Sequence, residues 1–153
     1  MQMTKLLQYI EEENIELIET DIPIKNLKGL YYDNTIIIDK KIATTVGKKC
    51  ILAEEIGHYY TSTGDILDQS NISNIKQENK ARAWAFEELI GLVDIINAYK
   101  SGVRNKYELA EYLDVTEEFL DEAIEYYKRK FGILFNIDKY IIYFEPFGVI
   151  ERL

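Results

Sequence analysis

The strongest chemical signal in the sequence is two acids and a histidine in one short segment, Ala53-Glu54-Glu55-Ile56-Gly57-His58-Tyr59. In the zinc-protease pattern H-E-x-x-H, two histidines one helical turn apart bind the metal, and the glutamate acts as general base. Here Glu54 stands at the first histidine position, Glu55 at the base position and His58 at the second histidine position. A carboxylate can also bind a divalent ion, so the segment predicts a metal site with an altered ligand set.

The spacing of these residues has a physical reason. Residues i and i+4 of a helix lie about 6 Å apart on one face, so Glu54 and His58 can close on a single ion. Glu55 is displaced around the helix and is placed to handle the proton of an attacking water. A catalytic zinc site needs a third protein ligand and one open position.

The best candidate for the third ligand is Glu78, twenty residues after the histidine. The small residues Ala81 and Ala85 follow it at i+3 and i+7 on the same side of a predicted helix. Small residues let two helices approach closely, which would bring the Glu78 carboxylate to the metal. Asp65 and Asp68 are the rivals, because they follow the motif closely in a predicted loop.

Local patterns predict the elements that position these residues, and together they indicate an α+β fold with a small antiparallel sheet and about five helices. The predicted elements are a helix over 4–13, a strand over 15–22, a hairpin around Asp33-Asn34, a motif helix over 48–61, a loop over 64–74, one long helix over 74–99, helices over 105–113 and 117–130, and a β-like tail over 133–153 whose clearest strand is 140–144.

Composition limits the function classes. The 153 residues fit one domain, and the net charge of −9 argues against binding to nucleic acid. Within the helical segment 103–131, residues 107–130 have helix-turn-helix spacing, but five acids on the second helix oppose a DNA-reading role. Cys50 is the only cysteine and is expected in the core rather than on a metal. No signal peptide or membrane span is predicted, and a reducing cytoplasm is the expected setting.

Three segments together resemble the ImmA/IrrE family of metallopeptidases from mobile elements and bacterial regulators. They are the hairpin start Leu27-Lys28-Gly29-Leu30-Tyr31, the motif 52–59, and the helix Glu78-x-x-Ala81-x-x-x-Ala85-x-x-x-Leu89. The segment 107–118 is also similar to the helical segment that follows the family's core. The resemblance covers roughly residues 27 to 131 and is much more specific than the short motif alone.

The resemblance implies a single zincin-like domain over 1–153 and a zinc-dependent endopeptidase that cuts a regulatory protein, such as a helix-turn-helix repressor of a phage or mobile element. It assigns Glu54, His58 and Glu78 as metal ligands and Glu55 as catalytic base. Glu54 departs from the family's histidine, so the ligand charges neutralise a divalent ion completely. A neutral site acidifies water less and favours harder ions such as Mn²⁺ over Zn²⁺. The alternative is a non-catalytic module that sequesters a repressor without cutting it.

Overall fold

The computed structural model describes residues 2–61 and 72–153 of the chain. The contacts divide the chain into two compact units, 1–89 and 90–153. The α+β fold class is confirmed, although the strands form two small sheets where the sequence predicts one. None of the described helices is long and apolar enough to cross a lipid bilayer.

The first unit carries the motif. Its elements are α1 (Gln2–Glu12), β1 (Glu16–Thr20), β2 (Gly29–Tyr32), β3 (Thr35–Asp39), α2 (Thr45–Thr61) and α3 (Ile72–Leu89). The motif helix α2 begins three residues earlier than predicted, because the hydroxyl of Thr44 accepts a hydrogen bond of 3.0 Å from the Gly47 amide. A threonine that accepts this bond satisfies one of the unpaired amides of the first turn.

The sheet of the first unit has the order β1-β3-β2. The predicted hairpin is confirmed: β2 and β3 pair antiparallel, and both turn residues, Asp33 and Asn34, have the positive φ angles of a two-residue turn. The strand β1 pairs with β3 in parallel, from Glu16 opposite Thr35 to Thr20 opposite Asp39. The first sheet is therefore mixed rather than purely antiparallel.

The core of the first unit lies between the sheet and the three helices. It is built from aliphatic, alanine and aromatic side chains that are less than a tenth exposed: Leu6, Ile10, Ile36, Ile38, Leu52, Ile56, Ala81, Ala85, Phe86 and Leu89. The alanines Ala81 and Ala85 are completely buried, as their spacing predicts. Cys50 is 4% exposed and belongs to this core, which agrees with its predicted role.

The prediction of one helix over 74–99 is wrong. The helix α3 ends at Leu89, and α4 begins at Leu92. The break occurs at Gly91, whose backbone is extended and whose amide donates a 2.9 Å hydrogen bond to the Asp94 side chain. Because the apolar spacing continues across this glycine, the pattern alone does not reveal a new helix start.

The second unit consists of α4 (Leu92–Lys100), α5 (Lys106–Leu113), α6 (Glu117–Phe131), β4 (Leu134–Ile137), β5 (Tyr140–Phe144) and β6 (Phe147–Glu151). The predicted cap of α5 is confirmed, because the Asn105 side chain accepts a 2.8 Å hydrogen bond from the Glu108 amide. The predicted β-like tail is an antiparallel meander with the order β4-β5-β6. Tyr140, Ile142 and Phe144 form its buried face.

Candidate metallopeptidase site

The helices α2 and α3 touch through their backbones at Gly57. A Cβ atom added to Gly57 would lie 2.3 Å from the carbonyl oxygen of Ala81. No larger residue fits at Gly57 unless the helices separate, since the obstacle is main chain. The approach of the two helices, which the small residues of α3 predict, is therefore present and needs a glycine on the motif helix as well.

This close approach brings two of the three predicted metal ligands together. The Nε2 atom of His58 lies 3.0 Å from an Oε2 atom of Glu78. The imidazole side chain is 5% exposed, whereas the carboxylate is 49% exposed. A buried nitrogen and a half-open carboxylate thus meet where α2 and α3 pack most tightly.

Electrostatics favour a charged pair between these residues. Burial alone lowers the pKa of His58, but the hydrogen bond to Glu78 and the negative charges of Glu55, Glu78 and Glu54 outweigh it, so the pKa is raised. The same hydrogen bond lowers the pKa of Glu78. The Nδ1 atom of His58 is buried and has no hydrogen-bond partner among the described residues.

Glu55 lies on a different side of α2, against the first sheet. Its residue is 7% exposed, and one of its carboxylate oxygens comes within 3.0 Å of the place where a Cβ atom of Gly29 would stand. Burial raises the pKa of Glu55 to about 8; Glu54 and Glu78 add to this rise and His58 opposes it. A carboxyl with a pKa near neutrality can both accept and return a proton, which general catalysis requires.

The geometry fits part of a metal site. Two ligands of a tetrahedral zinc ion, each at about 2.0–2.2 Å, lie roughly 3.3–3.5 Å apart. The His58–Glu78 distance of 3.0 Å needs to open by only a few tenths of an ångström to admit an ion. Among residues 2–61 and 72–153, however, no group of three metal-ligating side chains converges.

The third ligand is therefore not provided by the described arrangement. Glu54 lies one helical turn before His58 and is close enough for its charge to raise the histidine pKa, but the three predicted ligands do not form one cluster. The rival residues Asp65 and Asp68 lie outside the described residues. The assignments of Glu54, His58 and Glu78 as ligands and of Glu55 as base stay predictions.

An aromatic cluster continues the contact between α2 and α3 beyond the His58–Glu78 pair. Trp84 stacks on Tyr60 with ring centres 5.3 Å apart, and the edge of Tyr9 from α1 meets the same indole at 5.9 Å. Tyr59 donates a 2.7 Å hydrogen bond to Glu13. These rings tie α1 to the C-terminal end of the motif helix.

Sequence reasoning missed two glycines that shape the site. Gly57 allows the backbone contact with α3, and Gly29 leaves room for Glu55 and Ile51 beside β2. The signal was available in both cases, because an isolated glycine inside a helix or strand often marks a close approach.

Comparison with known proteins agrees with this geometry. The family model of the M78 peptidases, described as the IrrE N-terminal-like domain, matches residues 10–125. Searches of the curated proteins and of the solved structures gave no significant match. The family match covers the motif helix, α3 and their contact, together with most of the chain. The chain therefore belongs to the M78 family of metallopeptidases, the family of the IrrE N-terminal-like domain.

Proposed function

We propose that this protein is a metal-dependent endopeptidase that cleaves a regulatory protein, with a helix-turn-helix repressor as the expected substrate. The observation that carries the proposal is the His58–Glu78 pair, held at 3.0 Å, with the buried carboxyl of Glu55 close enough for its charge to raise the pKa of His58. This combination supplies two donors for a divalent ion and one group for proton transfer. Zinc is the expected ion, with Mn²⁺ as the alternative that a carboxylate-rich ligand set favours.

His58, Glu54 and Glu78 would hold the ion, with Asp65 and Asp68 as the alternatives to Glu78. When bound, a divalent cation supplies Lewis acidity for attack on the peptide carbonyl. Glu55 takes the proton from the attacking water and passes it to the departing amine nitrogen.

The decisive experiment compares the wild type with Glu55→Gln. Each protein is incubated with a candidate repressor in Zn²⁺ or Mn²⁺, and the fragments are mapped by mass spectrometry. We expect site-specific cleavage by the wild type and a loss of roughly a hundredfold to ten-thousandfold in the variant, with metal content unchanged. The matched control is Glu118→Gln, which changes an exposed acid of α6. This variant should cleave the repressor at the wild-type rate.

A second candidate function is favoured by the incomplete ligand set. No three ligating side chains converge in the described part of the chain. The same surface around His58 and Glu78 would therefore also suit a module that holds a repressor without cutting it. This alternative predicts no fragments at any metal loading and equal repressor affinity for the wild type and Glu55→Gln. Equal cleavage by both proteins would contradict the role of Glu55 and the mechanism proposed here.

A further inference from the structure

The strand β6 of the second unit is an edge strand of its sheet, and its only charged residue is Glu151 at the end. It pairs with β5 on one side, and no strand in the described part of the chain pairs with its other side. Its residues are Phe147, Gly148, Val149, Ile150 and Glu151. Edge strands are usually guarded by lysine, proline or a bulge, and β6 has neither a lysine nor a proline.

Two hydrogen bonds determine which backbone groups face this edge. The Phe144 amide donates to Ile133 at 2.7 Å, and the Arg152 amide donates to Lys139 at 2.6 Å. In an antiparallel ladder, alternate residues bond to the same neighbour. The amides and carbonyls of Gly148 and Ile150 therefore face β5, and those of Phe147, Val149 and Glu151 point away from the sheet.

These outward backbone groups can form hydrogen bonds with the β6 strand of a second copy of the chain, if the two strands run antiparallel. If Val149 lies opposite Val149 of the partner, all three outward residues fall on hydrogen-bonded positions. Gly148 then lies opposite the partner's Ile150 at a position without hydrogen bonds, where side chains come closest. A Cβ atom at Gly148 would meet nothing within 4 Å, and Ile150 is 49% exposed, so a large exposed side chain meets an empty position.

The outer face of the sheet extends this fit. Tyr143 lies beside Gly148 and Ile141 beside Ile150 in the β5–β6 register. Pairing two β6 strands would place Tyr143, Gly148, the partner's Ile150 and the partner's Ile141 in one row. The two-fold axis repeats this row, so one contact covers both exposed isoleucines.

Charge complementarity on the other face points to the same partner. A cavity of about 120 Å³ is lined by β6 residues 147–149 together with residues from 95 to 109, and no β4 or β5 residue lines it. Phe147 and Val149 share the face of the buried Phe144 and Ile142, and the Tyr99 ring meets that of Tyr140, so the cavity lies on the inner face of the sheet at β6. Arg104 lines this cavity, stacked 4.2 Å from the centre of the Tyr99 ring and donating to the carbonyl of Tyr99 at 2.7 Å.

The paired register brings Glu151, which forms a 3.0 Å ion pair with Lys139 of its own chain, to this arginine. Phe147, which lines the cavity, lies opposite the partner's Glu151, so that carboxylate arrives on the face that Arg104 occupies. We propose that two copies of this chain associate through antiparallel pairing of their β6 strands, with Ile150 over Gly148 and Glu151 beside Arg104 of the other copy. The result is a continuous six-stranded sheet, and the inference does not depend on the peptidase activity.

The test measures the oligomeric state of the full chain by sedimentation velocity across a wide concentration range. We expect a reversible dimer for the wild type and at least tenfold weaker association for Ile150→Lys. The matched control Leu134→Lys places the same charge on the outer face of β4, at the opposite edge of the sheet, and should dimerise like the wild type. Circular dichroism of each variant checks that the monomer remains folded.

Two further variants address the backbone and the charge pair. Val149→Pro removes an amide that points away from β5, so the monomer should keep its sheet and lose the dimer. Arg104→Glu should weaken association, and combining it with Glu151→Arg should restore it in part. A wild type that stays monomeric at every concentration, or an Ile150→Lys variant that dimerises normally, would overturn the proposal. In the first case, the β6 edge would be available for pairing with a strand of another protein.

Discussion

The two sides of the motif helix α2 are packed in different ways. On the side of α3, Gly57 meets the main chain of Ala81, and a Cβ atom would stand 2.3 Å from a carbonyl oxygen. On the side of the sheet, Gly29 faces two side chains: the Cγ2 methyl of Ile51 lies 2.6 Å and a carboxylate oxygen of Glu55 lies 3.0 Å from an added Cβ. A side chain can rotate away, whereas a helix backbone moves only as a unit. The His58–Glu78 contact therefore depends on the distance between two helices, and the position of the Glu55 carboxylate depends on the rotamer of its side chain.

The largest effect is expected from Gly57→Ala. The new methyl group must push α3 away from α2, which should cost about 1–3 kcal/mol of unfolding free energy and separate His58 from Glu78. Urea denaturation measures the first effect, and zinc titration by calorimetry measures the loss of metal affinity. Glu118→Ala is the control, because Glu118 is an exposed residue of α6 that takes no part in the site. Equal stability of the two variants would show that the helices do not need this contact.

The buried Glu55 carboxyl on the sheet side of α2 should make the stability of the protein depend on pH. In the metal-free protein, the pKa of Glu55 is raised to about 8 and that of His58 is also raised, so the folded state binds more protons than the unfolded state. Stability should therefore fall as pH rises from about 4.5 to 8, by up to about 1.4 kcal/mol per pH unit for each such proton. Glu55→Gln should flatten this dependence and be more stable than the wild type at pH 8. Parallel curves for the two proteins in thermal melts would contradict the buried, protonated carboxyl.

The side of α2 that carries the predicted ligands is tested by placing a histidine at position 54, where the H-E-x-x-H pattern has one. Glu54→His replaces a carboxylate with an imidazole and raises the net charge of the site from zero to +1. We expect zinc affinity to rise by about tenfold and any peptidase rate to rise with it. Calorimetric titration with Zn²⁺ and Mn²⁺ checks the direction for each ion. Unchanged zinc uptake would show that Glu54 does not bind the metal.

The smallest effect on stability is expected from Gly29→Ala. The Glu55 carboxylate can turn aside, but the Cγ2 methyl of Ile51 is held close to the backbone of α2 and must shift, so the loss of unfolding free energy should be about 1 kcal/mol. The cleavage rate should fall further than stability, because Glu55 would leave its position. The zinc affinity of this variant should match the wild type, in contrast to Gly57→Ala. A loss of zinc affinity would show that the two sides of α2 are coupled.

The sequence predicts the local elements better than their arrangement. Asn105 and the Asp33-Asn34 turn define their structures through their own side chains and backbone angles, so short segments are sufficient to predict them. The parallel pairing of β1 with β3 joins residues far apart in sequence, and no local pattern records it. The break at Gly91 was missed because apolar residues continue at helical spacing through it.

The same distinction holds for the site. The meeting of His58 and Glu78 could be predicted, because Ala81 and Ala85 mark the face of α3 that approaches another helix. The burial of Glu55 could not, since it depends on the space that Gly29 leaves in a strand from another part of the chain. The convergence of Glu54 with the other two ligands is not seen among the described residues, because sharing a helix face with His58 does not bring its carboxylate to Glu78.

The stacking of Trp84 on Tyr60 gives the protein an internal optical probe. Trp84 is the only tryptophan of the chain, and it lies on α3 one and a half turns after Glu78, while Tyr60 follows His58 by two residues on α2. Indole emission responds to the polarity and contacts of its ring, so any change in the spacing of these helices should shift the spectrum. Fluorescence during a metal titration would therefore follow the ligand pair directly, without a label and without a substrate.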